Sequence, residues 1–423
     1  MTAEPVVLNV DIAIIGGGIA GLWMLHRAVN AGYNAVLFES HALGSGQTVA
    51  SQGMIHGGVK YTLGGALSGA SEAIADMPAH WRHCMTGEGD VDLRGTTLLS
   101  DHFYMWSSRS AVSKVTTFLA SKALRGRVHA LKKPDYPAAF RHPAFKGSLY
   151  KLVDRVIDTP SLLETLRKPH QHRIFAIDQQ AMTVQKNAGG ATIVIRKKHG
   201  LVHIDSQLCV FSAGKGNGAL LQQLAVKSPA MQLRPLHQVM VRKKNLPALY
   251  AHCVGTDSKP RLTISSHVIA PHVTSIHAGE ADTVWYLGGQ LAEEGVDLSP
   301  DALIQRAKKE LGELFSWIDW QDAAWATLRV DRAEPAQPGL LRPDNAWLSA
   351  CDDLVRCVVA WPTKLTLVPN LGNLLMDYLG KQQIKPRFGD SPEHVLPLMT
   401  AIAPAPWQSA MFTGGDDVLS TTR

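Results

Sequence analysis

A glycine-rich turn near the start of the chain constrains the fold more than any other feature. A mostly apolar run from Val10 to Ile15 is long enough for a strand and leads into the turn Gly16 to Gly21, which reads GGGIAG. A helix-like stretch from Leu22 to Ala28 follows, and the apolar run Ala35 to Phe38 ends on Glu39. The order and spacing of these pieces are typical of a dinucleotide-binding βαβ unit with a Gly-x-Gly-x-x-Gly turn.

Each glycine of the motif has its own physical task in such a unit. Gly16 permits a tight turn, Gly18 lets the backbone approach a pyrophosphate, and Gly21 allows the helix to pack closely on the sheet. The helix N-terminus offers unpaired N–H groups and a positive dipole to phosphates. Glu39 lies where a carboxylate accepts hydrogen bonds from a ribose diol, and its charge disfavours the 2′-phosphate of NADP.

A Gly-x-Gly-x-x-Gly motif alone often marks an ordinary turn. The strand before it, the helix after it and the acidic residue at the end of the next strand together favour dinucleotide binding. The residues predicted to contact the dinucleotide in this unit are Gly16, Gly18, Ile19, Ala20, Gly21, Glu39 and Ser40.

Composition limits the classes of protein that remain. The chain has 423 residues, of which 45% are hydrophobic, enough for two or three domains at roughly 150 residues each. The formal charge of +6 favours an anionic substrate, but no long Lys/Arg run predicts a nucleic-acid partner. The five cysteines are scattered without a Cys-x-x-Cys pair, so neither a disulfide framework nor a zinc site is expected. A reducing, cytoplasmic location is therefore predicted.

Membrane insertion is not expected from the hydropathy pattern. No apolar stretch reaches the roughly 18 residues that span a bilayer. The first apolar run is used by the first strand, and no basic segment precedes it, so neither a signal peptide nor an anchor is predicted. Peripheral membrane contact is left open.

Two further segments are predicted to lie beside the dinucleotide. The loop from Leu43 to Gly53 is rich in small and hydroxyl residues, which allow close backbone approach; the alternative is a flexible surface loop. A strand at 207–212 leads into a second glycine-rich transition that begins with Ala213 and Gly214. Ligands of doubly wound sheets bind at the carboxyl ends of such strands.

The remaining elements are predicted from periodicity and from helix start and stop signals. A helix is expected near 71–84. Thr159 is predicted as a helix N-cap followed by Pro160, and Ser299 as the start of a second helix. A helix from Leu371 to Leu379 is predicted to end at Gly380. The predicted strands are 173–178, 191–197, 201–205, 207–212, 237–242, 261–270 and 283–289.

Six segments, taken in order, resemble the family of FAD-dependent D-amino-acid oxidases and glycine oxidases, which includes glycerol-3-phosphate and 2-hydroxyglutarate dehydrogenases. The first, Gly16 to Glu39, is similar to the ADP-binding unit of that family. The others are 51–61 (SQGMIHGGVKY), 233–239 (LRPLHQV), 285–289 (WYLGG), Arg329 and 360–369 (AWPTKLTLVP). The match is discontinuous and covers most of residues 8–380.

The resemblance implies FAD as the cofactor and an α/β fold, α+β overall. A Rossmann-like FAD-binding domain of the glutathione-reductase type would carry a second, mainly β substrate domain. The expected boundaries are 1–80, 150–230 and 335–390 for the FAD-binding domain, 81–149 and 231–334 for the substrate or cap domain, and 391–423 for a C-terminal tail. The flavin contacts that it adds are Thr48, Ser51, Gln52, Gly53, Ala213, Gly214, Lys364, Leu365 and Thr366.

The chain departs from the family pattern at three places that bear on the substrate. His237 replaces the usual Arg-Gly pair, and Lys60 stands where the glycerophosphate enzymes carry arginine. The closing loop reads Pro-Thr-Lys, through Lys364, instead of being glycine-rich. The resemblance therefore does not select one substrate.

Three residues are candidates for the chemistry. His56 is predicted as a proton acceptor or flavin neighbour; the alternative is a hydrogen-bonded loop residue, and covalent flavin attachment is left open. Arg329 is predicted to clamp a carboxylate, the alternative being a salt bridge with Asp331. Lys364, or the backbone N–H groups of 364–366, would stabilise negative charge on the reduced flavin, and the dipole of the next helix favours the backbone version.

Further polar residues bear on substrate and metal binding. Lys60, Tyr61 and His237 are predicted to bind substrate, with a solvated loop pair as the alternative for the first two. Histidines recur at 267, 272 and 277, but a five-residue spacing alternates the faces of a strand. No metal site is therefore predicted.

The leading functional prediction is an FAD-dependent oxidoreductase that removes a hydride from a C–N or C–O carbon of a small, anionic amine or hydroxy compound. The electron acceptor would be oxygen or a quinone or other redox partner. The alternatives are a 2-hydroxy-acid or glycerol-3-phosphate-type dehydrogenase that reduces a quinone, a flavin-binding protein that senses or interacts with little turnover, and a nicotinamide-only enzyme. The sequence does not determine the oligomeric state.

Overall fold

The computed structural model describes residues 4–58, 74–107, 128–188, 190–255, 259–269, 282–352, 354–410 and 412. Four residues named above, Lys60, Tyr61, His272 and His277, lie outside this described part.

Strands form most of the described elements. In chain order they are β1 Val6–Ile15, β2 Ala35–Glu39, β3 Met54–Ile55, β4 Leu98–Ser100, β5 Phe103–Ser107, β6 Val128–Ala130, β7 Ser148–Leu152, β8 Arg155–Ile157, β9 Ile174–Ala176, β10 Met182–Asn187, β11 Gly190–Lys197, β12 Gly200–Phe211, β13 Met231–Lys244, β14 Ala251–Val254, β15 Pro260–Ile269, β16 Asp282–Gly288, β17 Ala324–Pro335, β18 Trp347–Cys351 and β19 Leu354–Trp361. The helices are α1 Ile19–Asn30, α2 Met77–Thr86, α3 Thr159–Arg167, α4 Asn217–Gln223, α5 Gln290–Glu294, α6 Pro300–Leu314, α7 Val368–Lys381 and α8 Pro406–Ser409.

The first sheet has β1 near its centre, and the glycine-rich turn follows directly from that strand. Its main order is β10-β11-β12-β1-β2-β9, and β19 pairs with both β12 and β18. The pairs of β1 with β2 and β12, of β2 with β9, and of β12 with β19 are parallel. Helices α1 and α7 bury their apolar faces against one side of this sheet. The carboxyl ends of β1, β2, β12 and β19 therefore meet along one edge.

The second sheet is mainly antiparallel, in the order β17-β13-β16-β15-β14-β5-β7-β6. One of its faces packs on α6, whose residues Leu303, Ala307, Leu311 and Leu314 are buried as their spacing predicts. A third, small sheet joins β3, β8 and β4. The predicted α/β fold class, with a Rossmann-like part and a second β-rich part, is confirmed.

Some local predictions were wrong in detail. Strands predicted at 201–205 and 207–212 form the single strand β12. The N-cap of α3 is Asp158, whose carboxylate accepts a hydrogen bond from the Ser161 N–H, so Thr159 is the first helical residue. Gly380 lies inside α7, which continues to Lys381. Helix α2 covers Met77–Thr86 and overlaps the helix expected near 71–84, of which residues 71–73 lie outside the described part.

Strands of the first sheet come from 6–39, 174–211 and 347–361, and those of the second sheet from 103–152 and 231–335. The division of the chain into domains at the expected boundaries stays a prediction. None of the helices in the described ranges is long and apolar enough to cross a membrane.

Candidate functional site

A cavity of about 880 Å³ opens where the strand ends of the first sheet face the second sheet. It extends from the glycine-rich turn at Gly16, along the loop 45–52, to Leu236 and Gln238 on β13. Its other walls are the β17 residues 328–333, the closing loop 361–365, and C-terminal residues from Ala403 to Ser409. The volume lies in the range of roughly 300–1,000 Å³ that is usual for ligand and cofactor sites.

The three motif glycines behave as their spacing predicts. Gly16 has φ +109°, and a Cβ there would lie 2.6 Å from Ala213 Cα. A Cβ on Gly21 would lie 2.0 Å from the Gly16 carbonyl oxygen, so the helix can pack at this distance only without a side chain. A Cβ on Gly18 would meet only Thr48 Oγ1, at 3.3 Å, and would otherwise project into open space. The space beside Gly18 is therefore available to a ligand.

The backbone N–H groups in the first turn of α1 are candidate donors to a bound phosphate. Ile19 N donates to Thr48 Oγ1 at 3.1 Å, which fixes the loop over the helix N-terminus. The N–H groups of Gly18 and Ala20 have no acceptor among the described residues. Ile19 thus contributes its side chain and the Thr48 contact to this wall, while Gly18 and Ala20 present donors suited to a phosphate.

Glu39 is held in place by backbone donors at the end of β2. Its Oε2 accepts from Gly17 N at 2.6 Å, and its Oε1 accepts from Ser40 N at 2.8 Å and His41 N at 2.9 Å. A carboxylate has about four acceptor sites, so Glu39 keeps capacity for a ribose hydroxyl. Glu39, Ser40 and His41 all line the cavity.

The loop 45–53 forms the floor of the cavity. Ser51 Oγ is buried without a hydrogen-bond partner among the described residues, although Ser51 lines the cavity. Gln52 Nε2 donates to Tyr286 O at 2.8 Å, which ties the loop to the second sheet. Gly53 has φ +68° and lies against β8, where a Cβ would be 2.1 Å from Ile157 O.

The second glycine-rich transition closes the same end of the cavity. Ala213 N donates to Asn217 Oδ1 at 2.8 Å, and Gly214 has φ +56°. Gln47 reaches across, with its Oε1 accepting from Ala333 N at 3.2 Å. Ala213 and Gly214 therefore line the same cavity as Gly16, while their contact with the cofactor stays a prediction.

The closing loop leads into α7 through a 3₁₀ turn, Leu365–Leu367. The N–H groups of Leu365 and Thr366 have no acceptor among the described residues, whereas Lys364 N donates to Pro362 O. The Thr366 side chain accepts from His56 N at 3.0 Å, and Trp81 Nε1 donates to Thr366 O at 3.1 Å. Two backbone donors thus lie at the positive end of a helix, beside the cavity lining at Lys364 and Leu365; the stabilisation of the reduced flavin by them stays a prediction.

Lys364 lies in a less hydrated setting than a surface lysine. Its Nζ donates to Pro343 O at 2.8 Å and to Asp344 O at 2.9 Å. Burial, together with the positive charge of Arg342, lowers the pKa of Lys364 to about 8. The ammonium group at the cavity wall can therefore lose its proton near neutral pH.

This pKa predicts a pH dependence of stability. Between pH 8 and its ordinary pKa of 10.5, Lys364 is neutral in the folded protein and protonated in the unfolded chain, so the free energy of unfolding rises with pH. Replacing Lys364→Met should remove this rise, which amounts to at most about 3 kcal/mol. Thermal unfolding of the FAD-saturated protein from pH 7 to 10.5 measures it, with the exposed Lys381→Met as control. Parallel profiles for wild type and Lys364→Met would contradict the assignment.

His56 is buried beside the cavity but does not line it. Its Nδ1 lies 3.0 Å from Asp154 Oδ2, and Asp154 Oδ1 accepts from Gly57 N at 3.0 Å. The His56 ring stacks on His252 with centroids 5.9 Å apart. The structure thus places His56 in a buried network behind the loop, as in the alternative of a hydrogen-bonded loop residue; its role in proton transfer stays a prediction.

His237 and Arg329 are directly opposite each other on β13 and β17. His237 Nδ1 lies 3.1 Å from Gly295 O, and the Arg329 guanidinium donates to Val296 O at 2.6 Å and Leu298 O at 2.9 Å. Burial lowers the pKa of His237, which favours the neutral ring. Both residues fasten the connection from α5 to α6, and Asp331 pairs with Lys215 instead of Arg329. The carboxylate clamp at Arg329 and the substrate role of His237 stay predictions.

The sequence analysis did not single out Gln238, which lines the cavity from the second sheet, or Tyr286, which is buried behind it. Gln238 is 4% exposed and lines the cavity, unlike His237 beside it. The Tyr286 hydroxyl lies 3.0 Å from Ala50 O and 2.6 Å from the Gln238 carboxamide. Alternation along β13 would have indicated that positions 236 and 238 share a face.

Arg332 is a second arginine of the cavity wall that the sequence did not single out. Its Nε donates to Arg234 O at 3.0 Å, and its Nη1 is 3.4 Å from Glu293 Oε1. Burial, with Arg234 as a cationic neighbour, lowers the pKa of Arg332. Arg234 itself is bound by both oxygens of Glu334. A partly desolvated guanidinium next to another one favours an anionic ligand.

A group of metal-ligand type lies away from the cavity. Within the described part of the chain, His80, Cys84 and Asp90 bring ligand atoms within 4.8 Å of one another. The Arg27 guanidinium already bonds to Asp90, and burial raises the pKa of the Cys84 thiol to about 12. His267 is buried in the second sheet, where it bonds to Ser265. The expectation of no metal stays a prediction.

The residues of this cavity fit FAD, the cofactor that the resemblance implies. The space beside Gly18, the unpaired N–H groups of Gly18 and Ala20, and the buried Ser51 hydroxyl suit a pyrophosphate and its neighbouring hydroxyls. The N–H groups of Leu365 and Thr366 suit a group that becomes negative on reduction.

Comparison with known proteins agrees with this geometry. Residues 11–353 match the family model DAO, described as FAD dependent oxidoreductase. A Pseudomonas aeruginosa protein described as a probable FAD-dependent oxidoreductase, PA4991, is 46% identical over 384 residues, which cover 90% of this chain and 94% of that protein. Its crystal structure aligns with a TM-score of 0.78 and covers 96% of this chain and 99% of that one, at 41% identity.

More distant structures share the fold. Iminodiacetate oxidase from Chelativorans sp. BNC1 aligns with a TM-score of 0.61 at 14% identity, covering 91% of this chain and 98% of that one. Glycine oxidase from Geobacillus kaustophilus aligns with a TM-score of 0.62 at 17% identity, covering 94% and 100%.

Proposed function

The chain belongs to the DAO family of FAD-dependent oxidoreductases, and on this premise we propose that it oxidises the C–N bond of a small anionic amine. Bound FAD supplies the hydride acceptor, while the protein has to bind the amine, orient it and exclude water. The reacting end of the substrate would lie between the closing loop at Lys364 and the wall of β13 and β17.

The observation that carries this proposal is the buried Gln238 carboxamide, which lines the cavity and bonds to the Tyr286 hydroxyl. A tyrosine hydroxyl has one proton, so Tyr286 cannot donate both to Ala50 O and to Gln238. The structure places Gln238 Oε1 2.6 Å and Ala50 O 3.0 Å from the Tyr286 hydroxyl. Because the oxygen and nitrogen of a carboxamide are assigned from the hydrogen-bond network, we propose the flipped amide, in which Tyr286 donates to Ala50 O and accepts from the Gln238 NH₂. Gln238 would then turn its carbonyl oxygen to the cavity as a buried acceptor. An amine N–H is a donor that suits such an acceptor.

Cationic groups support the anionic part of the proposal. Arg332 and Lys364 both line the cavity and both are partly desolvated. Their charges favour a substrate carboxylate and would also lower the pKa of a bound ammonium group, which favours the neutral amine that releases a hydride. The clamp predicted at Arg329 would act at the rim of the same wall.

Two of the structural neighbours carry the names of enzymes that act on amines, glycine oxidase and iminodiacetate oxidase. Their TM-scores of 0.61 and 0.62 support a common fold, and their names favour the amine over the hydroxy compound as the first class to test. Oxygen or a quinone is proposed as the electron acceptor. Because a hydroxyl can also donate to Gln238, a 2-hydroxy acid remains the second candidate substrate.

An anaerobic substrate panel tests the proposal. The FAD-loaded protein is mixed without oxygen with glycine, sarcosine and iminodiacetate, and in parallel with glycolate, 2-hydroxyglutarate and glycerol 3-phosphate. We expect loss of the oxidised flavin absorbance with at least one amine. Reduction by hydroxy compounds alone would overturn the amine assignment. No reduction by an extended panel of either class would favour a sensing or interaction role.

Replacing Gln238→Leu should weaken binding of the reactive amine. Loss of the acceptor leaves a substrate N–H unpaired in a buried site, so we expect about a tenfold or larger rise in the concentration that half-saturates flavin reduction. FAD content should not change. Gln222→Leu, on the exposed side of α4, is the matched control. Equal half-saturation in Gln238→Leu and wild type would remove Gln238 from the substrate site.

A further inference from the structure

Residues 397–403 are fastened to the edge of the first sheet. Ala176 N donates to Pro397 O, and Met399 N donates to Ile174 O, both at 2.8 Å. Leu43 then exchanges two backbone hydrogen bonds with this segment, to Ala401 O at 2.9 Å and from Ala403 N at 3.0 Å. Leu43 begins the loop that holds Thr48 over the glycine-rich turn. This first anchor is therefore next to the dinucleotide end of the cavity.

Trp407 fastens the other end to the second sheet. Its ring stacks on His267, with centroids 3.4 Å apart and planes 13° from parallel, and Trp407 is 4% exposed. Burial lowers the pKa of His267 to about 3, so the stacked imidazole is neutral at physiological pH. The indole also packs in a buried cluster with Met240, Tyr286 and Ala405. Stacking and apolar burial together make this a specific contact.

The chain between the two anchors is a wall of the cavity. Ala403, Pro404, Pro406 and Ser409 line the same cavity as Gly18 and Gln238. The prolines have restricted φ and no N–H group, so this stretch has few conformations and few backbone donors to satisfy. This stretch therefore forms a wall of the cavity that belongs to neither sheet.

A hydrogen-bonded path joins the second anchor to the cavity floor. His267 Nε2 lies 3.0 Å from Ser265 Oγ, and Gln52 Nε2 reaches Ser265 Oγ at 3.4 Å. Gln52 lines the cavity, so the position of the His267 ring, and of Trp407 stacked on it, depends on the cavity floor.

We propose that residues 397–410, called here the strap, retain FAD in the cavity, and that Trp407 is the positioning residue that holds the strap closed. The strap lies beyond residue 353, where the family match ends. The proposal rests on the placement of FAD in this cavity. Movement of the wall between the anchors would open this side of the cavity, so we expect the stacking of Trp407 on His267 to slow the release of FAD.

The test measures FAD release and global stability separately. Each FAD-loaded variant is diluted, the rise of free-flavin fluorescence gives the dissociation rate, and a thermal melt gives stability. Trp407→Ala should release FAD about tenfold faster or more, because the stacked and buried contact is lost. Trp407→Phe should recover most of the slow release. A chain that ends at residue 403 should release FAD as fast as Trp407→Ala, while one that ends at Phe412 should match wild type.

The matched control is Trp325→Ala, an equally buried tryptophan on the α6 side of the second sheet that does not line the cavity. It should lower the melting temperature without changing FAD release. Equal release rates in Trp407→Ala and wild type, or the same acceleration in Trp325→Ala, would overturn the strap. If Trp407→Ala does not fold, Trp407→Leu, which keeps apolar volume without the ring, replaces it under the same criteria.

Failure of the strap and failure of the cavity assignment are distinguishable. If FAD lies elsewhere, filling the space at Gly18 leaves FAD binding unchanged. If only the strap is wrong, the Gly18 variant still loses FAD while the Trp407 variants retain it.

Discussion

Gly18→Val is expected to fold like the wild type and to lose FAD. The backbone at Gly18 has φ −73° and ψ −179°, which valine adopts without strain, and a Cβ there contacts only Thr48 Oγ1. The side chain instead fills the space where a pyrophosphate would approach the first turn of α1. We expect FAD binding to weaken by about 100-fold or more, equivalent to about 2.7 kcal/mol. Titration of flavin-free protein with FAD, followed by fluorescence, measures the loss.

The control for this prediction is another glycine with open space around it. A Cβ added at Gly312, in the interior of α6, would have no neighbour within 4 Å, and Gly312 does not line the cavity. Gly312→Ala should leave FAD binding unchanged and stabilise the helix slightly. Full FAD affinity in a folded Gly18→Val protein would show that the pyrophosphate binds elsewhere.

Asp154→Ala is expected to destabilise the protein severely. Asp154 is 1% exposed and holds both His56 Nδ1 and Gly57 N, which position the chain just after β3. Removing the carboxylate leaves buried polar groups without this acceptor, at a cost of about 3 kcal/mol or more. Urea unfolding of the purified protein measures the free energy change. Because β3 ends beside the cavity lining at Met54, FAD affinity should fall as well.

Asp154→Asn separates shape from charge in this network. The amide keeps an oxygen for Gly57 N, so its loss of stability should be smaller than that of Asp154→Ala. The exposed Asp297→Ala should change stability by no more than about 0.5 kcal/mol. A loss of less than about 1 kcal/mol in Asp154→Ala would mean that the His56 network does not support the loop.

The dinucleotide end of the site was predictable because its signals are local. The spacing from Gly16 to Glu39 specifies a strand, a turn, a helix and a second strand within one short segment. Each of these elements forms as expected, and Glu39 accepts three backbone N–H groups at the end of β2. The second transition at Gly214 follows β12, which is parallel to β1, and parallel strands align their carboxyl ends.

The substrate end of the site was harder to predict, because neighbouring side chains of a strand point to opposite faces of the sheet. His237 attracted attention through its departure from the family pattern, yet its ring faces the α5–α6 connection. The next residue, Gln238, faces the cavity. An error of one residue in the position therefore assigns the side chain to the wrong face of the sheet. The face of Arg329 likewise depends on the pairing of β17 with β13, which is a contact between strands far apart in sequence.

The C-terminal strap could not be predicted at all from local pattern. Its proline and serine content is typical of a tail, and each of its anchors joins residues distant in the chain. Leu43 pairs with residue 402, and His267 stacks on Trp407. Only the tertiary structure brings a short, proline-rich segment into contact with both sheets.

A crystal structure of the FAD-loaded protein with a bound, unreactive amine or carboxylate tests the central claim most directly. We expect the pyrophosphate at the N–H groups of Gly18 and Ala20, the ribose at Glu39, and the ligand within hydrogen-bonding distance of the Gln238 carboxamide. FAD outside this cavity, or a ligand bound away from Gln238 and Arg332, would contradict this placement.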